Sequence, residues 1–419
     1  MILGPVSLID CLVFVVFLAP QLILHVGLIR TVLVAGSCLP FLICKLPVEL
    51  VKQRFIDRQK DAWTASSTFF EDLVIRCVRY AFANVPNSVG RIFFSKWVAM
   101  PFLRWRMLRH GFVRSPVCYK EYVSGKGRDQ MRGIWVMHRP EQPPDLVLYY
   151  LHGGGFAMGS AYFYLEFLMV WHALLLEAGY KNPAIFALEY TLVPDDIYPR
   201  QIHEALSGYQ HVLDYAKSAS KVCVAGDSAG GCIVLSLLHE LGNQKRTQKR
   251  RNASQGGLTG PRPPMLPLPR MATLISPWVT LMTHRHRESK VDFLDRKTLW
   301  KYAHEYAGES MINQSPASPG SCIDDALWLA ACPEKGYHVM YGEEEVFAPD
   351  IEHFLQELKR LGLEVRGQKI EAGIHAWPVA SLFLSNTRER RLHGLRCMVN
   401  EIHCRMDRHG MMNGNKRSD

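Results

Sequence analysis

The chain has 419 residues, 48% of them hydrophobic, and a formal net charge of +10. That length holds two or three average domains, or one α/β domain with insertions, and the apolar share suits a globular fold with a substantial core. The basic excess does not describe a nucleic-acid surface, because Lys245-Arg246 and Lys249-Arg250-Arg251 have no interleaved aromatics and no binding module around them; they read as a solvated loop.

The amino-terminal run from Cys11 to Cys44 carries Arg30 as its one formal charge. Cys11–Ile29 is long enough to span a bilayer, which takes about 20 residues as a helix. No Lys or Arg precedes it, so it lacks the basic start of a cleaved secretory signal. Residues 1–60 are therefore expected to be a membrane anchor with a basic flank (Lys45, Lys52, Arg54, Arg58, Lys60). Pro20 sits mid-span and Thr31–Cys44 is a second apolar stretch, so one tilted helix, a hairpin, or a span with an interfacial segment all fit. The flank taken alone places the following chain in the cytosol by the positive-inside rule. The glycosylation sequon Asn252-Ala-Ser254 points to the other side, and a second at Asn313-Gln-Ser315 is weakened by Pro316.

Residues 61–132 read as a helical cap or lid, with Phe93, Phe94, Trp97, Phe102, Trp105 and Phe112 scattered among Arg and Lys. From 133 to the end, short apolar runs alternate with helical stretches. The runs are Ile134–Met137, Leu146–Leu151, Ala184–Leu188, Val222–Ala225, Ala272–Ile275 and His338–Tyr341. This alternation predicts an α/β fold, a mostly parallel sheet flanked by helices, with the site at the carboxyl ends of the strands. Within it, about 243–269 is basic and then rich in Gly and Pro, and reads as a disordered insertion.

The eleven cysteines include no CxxC pair, which excludes common zinc spacings and leaves a single bridge such as Cys322–Cys332 open. His284-Arg285-His286 has adjacent positive charges that oppose a cation and reads as surface. No metal or cofactor is expected.

Two motifs carry chemistry. Val222–Ala225 runs into Gly226-Asp-Ser228-Ala-Gly230 and a small-residue helix start. A serine at such a strand-to-helix turn is exposed as a nucleophile, and its neighbours two residues away come too close for a Cβ. Leu146–Leu151 runs into His152-Gly-Gly-Gly-Phe156. Glycines there let backbone amides approach a developing oxyanion, so Gly153, Gly154 and the amide of Ala229 are the expected donors. His152 is expected to brace the loop. The base should follow the serine in the chain, and His375 does so, in a Gly-containing loop after a strand ending near Ile370. The acid should lie in the loop after the preceding strand. Glu343, Glu344, Glu345 and Asp350 all qualify.

Together, HGGGF at 152–156, GDSAGG at 226–231, ISPW at 275–278, HAWP at 375–378 and Tyr190-Thr-Leu-Val-Pro194 resemble the hormone-sensitive lipase branch of the α/β-hydrolases. That branch includes arylacetamide deacetylases and fungal steryl acetyl hydrolases. The resemblance covers about Pro144 to Phe383 and implies a triad of Ser228, His375 and Glu345, with Glu where the family more often has Asp. It implies a serine esterase that removes a short acyl group from a lipophilic alcohol such as a sterol or terpenoid. A broad esterase, or a lactone or amide hydrolase, would use the same residues. Membrane-anchored relatives face the lumen of the endoplasmic reticulum, against the positive-inside reading. Plant gibberellin receptors resemble the same branch but lack the catalytic histidine. Retention of His375 argues against a pure receptor.

Overall fold

The computed structural model describes residues 1–57, 61–126, 130–253 and 265–406. The chain opens with α1 (Leu8–Val26) and α2 (Leu28–Pro40); a π-type turn at Phe41–Lys45 carries α2 into α3 (Leu46–Val51), and another follows at Lys52–Ile56. Ser7 and Asp10 cap α1 reciprocally, satisfying amides that a helix start leaves open. Gly27 divides α1 from α2 with φ 91°, so the expected span Cys11–Ile29 is interrupted near its end. Leu8–Val26 and Leu28–Ile56 are each long and apolar enough to cross a membrane by length and composition. Four helices follow: α4 (Ala62–Ser66), α5 (Phe69–Asn84), α6 (Asn87–Phe93) and α7 (Lys96–Arg109).

The sheet begins earlier than the sequence pattern suggested. β1 (Cys118–Ser124) lies inside the 61–132 stretch read as helical and pairs antiparallel with β2 (Met131–Met137). It is an edge strand exposed over most of its length, so it carries little of the apolar alternation that identifies inner strands. Beyond it come β3 (Leu146–Leu151), α8 (Leu165–Glu177), β4 (Pro183–Leu188), α9 (Arg200–Ala216), β5 (Val222–Asp227), α10 (Ala229–Ala253) and β6 (Met271–Ile275). The chain continues through α11 (Arg296–Met311), α12 (Asp325–Ala331), β7 (Tyr337–Gly342), α13 (Ala348–Arg360), β8 (Val365–Ile370), α14 (Trp377–Leu384) and α15 (Arg388–Met406).

The strands form one eight-stranded sheet in the order β1-β2-β4-β3-β5-β6-β7-β8, antiparallel at β1–β2–β4 and parallel from β4 to β8. The inner strands are buried on both faces, which is why they read as continuous apolar runs. Alternation still decides which core each side chain joins. Tyr149 enters one core with α9, α10 and α13, and Tyr150 enters the other with α8 and α15.

Three further expectations change. Residues 243–253 are not part of a disordered insertion but the last turns of α10. Asn, Gln, Lys, Arg and Thr there keep helix propensity, and helix breakers begin only at Gly256. Most of the Gly- and Pro-rich stretch, Ser254 of the sequon, and Arg58 and Lys60 of the basic flank lie outside the described residues. His286 is buried rather than at the surface, where its Nδ1 accepts from Trp300 Nε1 at 3.3 Å. All eleven cysteines, Cys322 and Cys332 included, are free thiols.

Candidate active site

Ser228 stands between β5 and α10 with φ 52°, a conformation that L side chains adopt only under constraint. The constraint is close approach. A Cβ on Gly226 would strike the backbone of Gly230, and one on Gly230 would strike the backbone of Leu151 in β3. Ser228 N–H donates to Ile275 O at 2.9 Å, and its carbonyl accepts from Trp278 N at 3.0 Å. The segment after β6 therefore grips the serine from both sides.

That same segment grips the other two loops. Ser276, itself at φ 44°, donates from Oγ to Glu345 Oε2 at 2.6 Å and accepts from Ala376 N, next to His375, at 2.9 Å. Residues 275–278 thus tie together the loops after β5, β7 and β8. Of the four candidate carboxylates, Glu343 and Glu344 are partly exposed and face Lys369 and Arg287, while both oxygens of Asp350 are taken by Thr280. Glu345 is fully buried, with one oxygen held by Ser276 and Gly342 N and the other, Oε1, unengaged. His375 is buried with its Nδ1 also unengaged. No hydrogen bond joins Ser228 Oγ to His375, or His375 to Glu345, so the three side chains are gathered but not linked in this structure. Burial lowers the His375 imidazole to about 3, keeping it neutral and able to accept a proton, and raises Glu345 well above the usual carboxylate range.

Nothing along the chain singles out Asp292. Its buried carboxylate accepts from Phe293 N at 2.8 Å, Val346 N at 2.9 Å and His375 N at 3.1 Å, fixing the backbone on either side of the acid and base. Burial raises it to about 6.

On the opposite side, the glycine loop is organised by Asp227. Its carboxylate accepts from Tyr150 Oη and Tyr164 Oη, each at 2.6 Å, and from Gly153 N at 2.8 Å. Gly153 is therefore not an open oxyanion donor, because its amide is already committed. Among the described residues, the amides of Gly154 and Ala229 meet no protein acceptor. Gly154 has φ 114°, and a Cβ there would strike Met158 O. His152 packs within the loop: Nδ1 lies 2.8 Å from Gly153 O, its ring stacks on Tyr190 at 4.3 Å, and Tyr190 Oη donates to His152 O at 2.8 Å. Burial lowers His152 to about 4, so it too is neutral.

Helices α5 and α6 reach the loops of this face. Arg79 donates to the carbonyls of Ser289 and Lys290, and Tyr302 Oη donates to Asn87 Oδ1 at 2.8 Å. Phe82 meets Tyr302 edge-on at 5.5 Å, and Tyr302 abuts Gly155 of the glycine loop.

A serine elbow after β5, a buried carboxylate after β7 and a buried histidine after β8 thus lie at the carboxyl ends of parallel strands of one sheet. Residues 148–379, more than half of the chain, match the family described as alpha/beta hydrolase fold. An acetyl-hydrolase of Streptomyces hygroscopicus is 27% identical over 247 residues, which are 58% of this chain and 71% of that one. A Schizosaccharomyces pombe protein provisionally named as the steryl acetyl hydrolase mug81 is 26% identical over 217 residues, 49% of this chain and 52% of its own. Among solved structures, an esterase of the bacterial hormone-sensitive lipase family superposes with TM-score 0.58 at 18% identity, covering 81% of this chain and 99% of that one. Carboxyl esterase 2 of Tuber melanosporum superposes with TM-score 0.55 at 20% identity, covering 70% and 89%. The chain belongs to the α/β-hydrolase family and is a carboxylic ester hydrolase.

Proposed function

We propose that this enzyme removes a short acyl group, acetyl, from a lipophilic alcohol of sterol or terpenoid type while associated with a membrane, that of the endoplasmic reticulum. The observation that carries the catalytic part is the common grip of residues 275–278 on the serine, the acid and the loop of the base. Ser228 Oγ attacks the ester carbonyl and passes its proton to the neutral His375. Charge that develops on the carbonyl oxygen meets the open amides of Gly154 and Ala229. His375 then protonates the leaving alcohol, and water hydrolyses the acyl-enzyme by the same steps. Glu345 Oε1 and His375 Nδ1, both buried without partners, complete the triad by pairing as the imidazolium forms.

The substrate reading rests on other support. Acetyl removal follows the names of the Streptomyces and Schizosaccharomyces relatives, and the sterol body follows the second alone. The apolar helices at the amino terminus support a membrane, where such alcohols partition. The test is kcat/KM for a steryl acetate, a terpenoid acetate and long-chain acylglycerols. Preference for either acetate supports the deacetylase reading, and preference for long-chain acylglycerols overturns it. Rates that track ester reactivity and ignore the alcohol also overturn it, in favour of a broad esterase.

A further inference from the structure

The amino terminus is part of the catalytic domain. Met1 and Leu3 are buried in the same core as α8 and α15. Val6 N donates to Phe383 O at 3.1 Å, Arg391 donates to Leu3 O at 2.7 Å, and Arg106 donates to Gly4 O at 2.7 Å. Asp10, in the first turn of α1, is fully buried. It accepts from Trp105 at 3.0 Å, from Arg106 at 3.2 Å and from Arg109, while Arg106 also pairs with Glu166 at 2.7 Å. Pulling α1 away would leave Arg106 buried with one of its two carboxylates gone, which is strongly unfavourable.

The chain returns to the same domain after α2. Tyr80 Oη donates to Ser37 O at 3.1 Å, the rings of Phe41 and Tyr80 stack at 4.0 Å, and Arg54 donates to Ser67 O at 2.6 Å. Between these attachments lies an apolar excursion that turns at Gly27. Val16 is 66% exposed, Leu24 74%, Ile29 78% and Leu33 67%. Phe14 meets Phe93 at 4.5 Å and Phe102 at 5.0 Å near the base of the outgoing leg. From Phe14 to Gly27 a helix rises about 20 Å, and from Leu28 to Ser37 about 15 Å. A hydrocarbon core is about 30 Å thick, so neither leg crosses it beyond its attachment.

We propose that α1 and α2 enter the bilayer as a hairpin from the face on which the catalytic domain sits, so that Met1 and Ser228 lie on one side of the membrane. The proposal rests on the membrane association given above and adds its topology. The occupant of the exposed hairpin is lipid, because its surface is apolar from Leu12 to Leu33 apart from a few polar positions. Arg30 is the one formal charge between Asp10 and Lys45. It lies three residues past the turn, where its long side chain can snorkel towards headgroups. The basic flank then no longer reports a crossing, since neither α1 nor α2 has crossed.

The experiment uses the full chain in sealed microsomes, with one epitope tag before Met1 and another after Asp419, and ester hydrolysis as the check on folding. Both tags digested, or both protected, is the expected result. One digested and one protected overturns the hairpin and leaves membrane association standing. Release of the protein by alkaline carbonate overturns both. Because a tag next to buried Met1 can itself disturb folding, the untagged Asp10→Ala variant gives a second reading. It should lower the melting temperature of the detergent-extracted enzyme by several degrees. An unchanged melting temperature would mean that Asp10 is not docked on the domain, and the hairpin fails.

Discussion

The two halves of the active site are built differently. The Asp227 carboxylate is fully engaged, with two tyrosine hydroxyls and the Gly153 amide converging on it. Around Glu345 the scaffold is equally tight, through Ser276 and Gly342, yet Glu345 Oε1 and His375 Nδ1 are sealed from solvent without partners. Buried polar atoms are rarely left so, since each costs about 1–3 kcal/mol unpaired. The carboxylate that shapes the glycine loop is thus satisfied before substrate arrives, whereas the proton-transfer side keeps one bond in reserve. The difference fits their tasks. An oxyanion hole works by being preorganised, whereas a base must change charge during the reaction.

The largest effect that separates the halves comes from the nucleophile between them. Ser228→Ala should reduce turnover by about a million-fold, as in other triad knockouts. The measurement is hydrolysis of an activated acetate ester, with fluorophosphonate labelling alongside. Labelling that survives in the variant would move the nucleophile elsewhere.

On the acid side, Glu345→Gln keeps shape but removes the ionisable carboxyl that pairs with the imidazolium as it forms, and should cost about 10⁴ in kcat. Glu344→Gln should be nearly silent, since that carboxylate is partly exposed and paired with Arg287. The reverse pattern would shift the acid by one residue. Asp292→Asn is the informative companion. Its oxygens hold three amides, including that of His375, so it should slow turnover less than Glu345→Gln while lowering thermal stability more.

Ser276→Ala should fall between these extremes, at about 10–100-fold in kcat, or about 1.4–2.7 kcal/mol of barrier. It removes the one hydroxyl that bridges Glu345 to Ala376. Ser276→Thr, which keeps the hydroxyl, should recover part of the rate. No rescue would mean that packing after β6, rather than the bridge, places the acid.

These expectations also show which parts of the molecule can be read along the chain. The serine elbow is local, because β5, the turn and α10 are consecutive and their close approach to β3 excludes side chains at Gly226 and Gly230. Its meaning is therefore written in a few adjacent letters. Asp227 is as close in sequence, but its partners Tyr150 and Tyr164 come from two other elements, so its role appears only on folding. Gly153 was misjudged for that reason: its neighbours suggested an open amide, and a residue 74 positions away had taken it. Asp292 lies in a charged loop with no periodicity, where nothing separates it from Glu288 or Asp295 before the fold is known. The amino-terminal helices present the same problem at larger scale. Apolarity from Cys11 to Cys44 is plain along the chain, whereas Asp10 meets Arg106 and Arg109 only on folding.

The smallest effect tests the glycine-loop half through pH. Burial lowers His152 to about 4 from an unfolded value near 6.5, so between those values the unfolded chain binds a proton that the native state refuses. Stability contributed by this group is complete above about pH 6.5 and is lost as pH falls towards 4, at about 1.4 kcal/mol per pH unit. By pH 5 its share of the loss is about 2 kcal/mol. His152→Asn removes that titration. At pH 7 the variant should be less stable than the wild type, having lost the stack on Tyr190 and the contact with Gly153 O. At pH 5 the gap should narrow by about 2 kcal/mol, because only the wild type still suffers the unfavourable proton. Denaturant unfolding of both proteins at the two pH values measures the change directly. A gap that stays constant would mean that His152 titrates normally in the native state, and burial would then not hold it neutral.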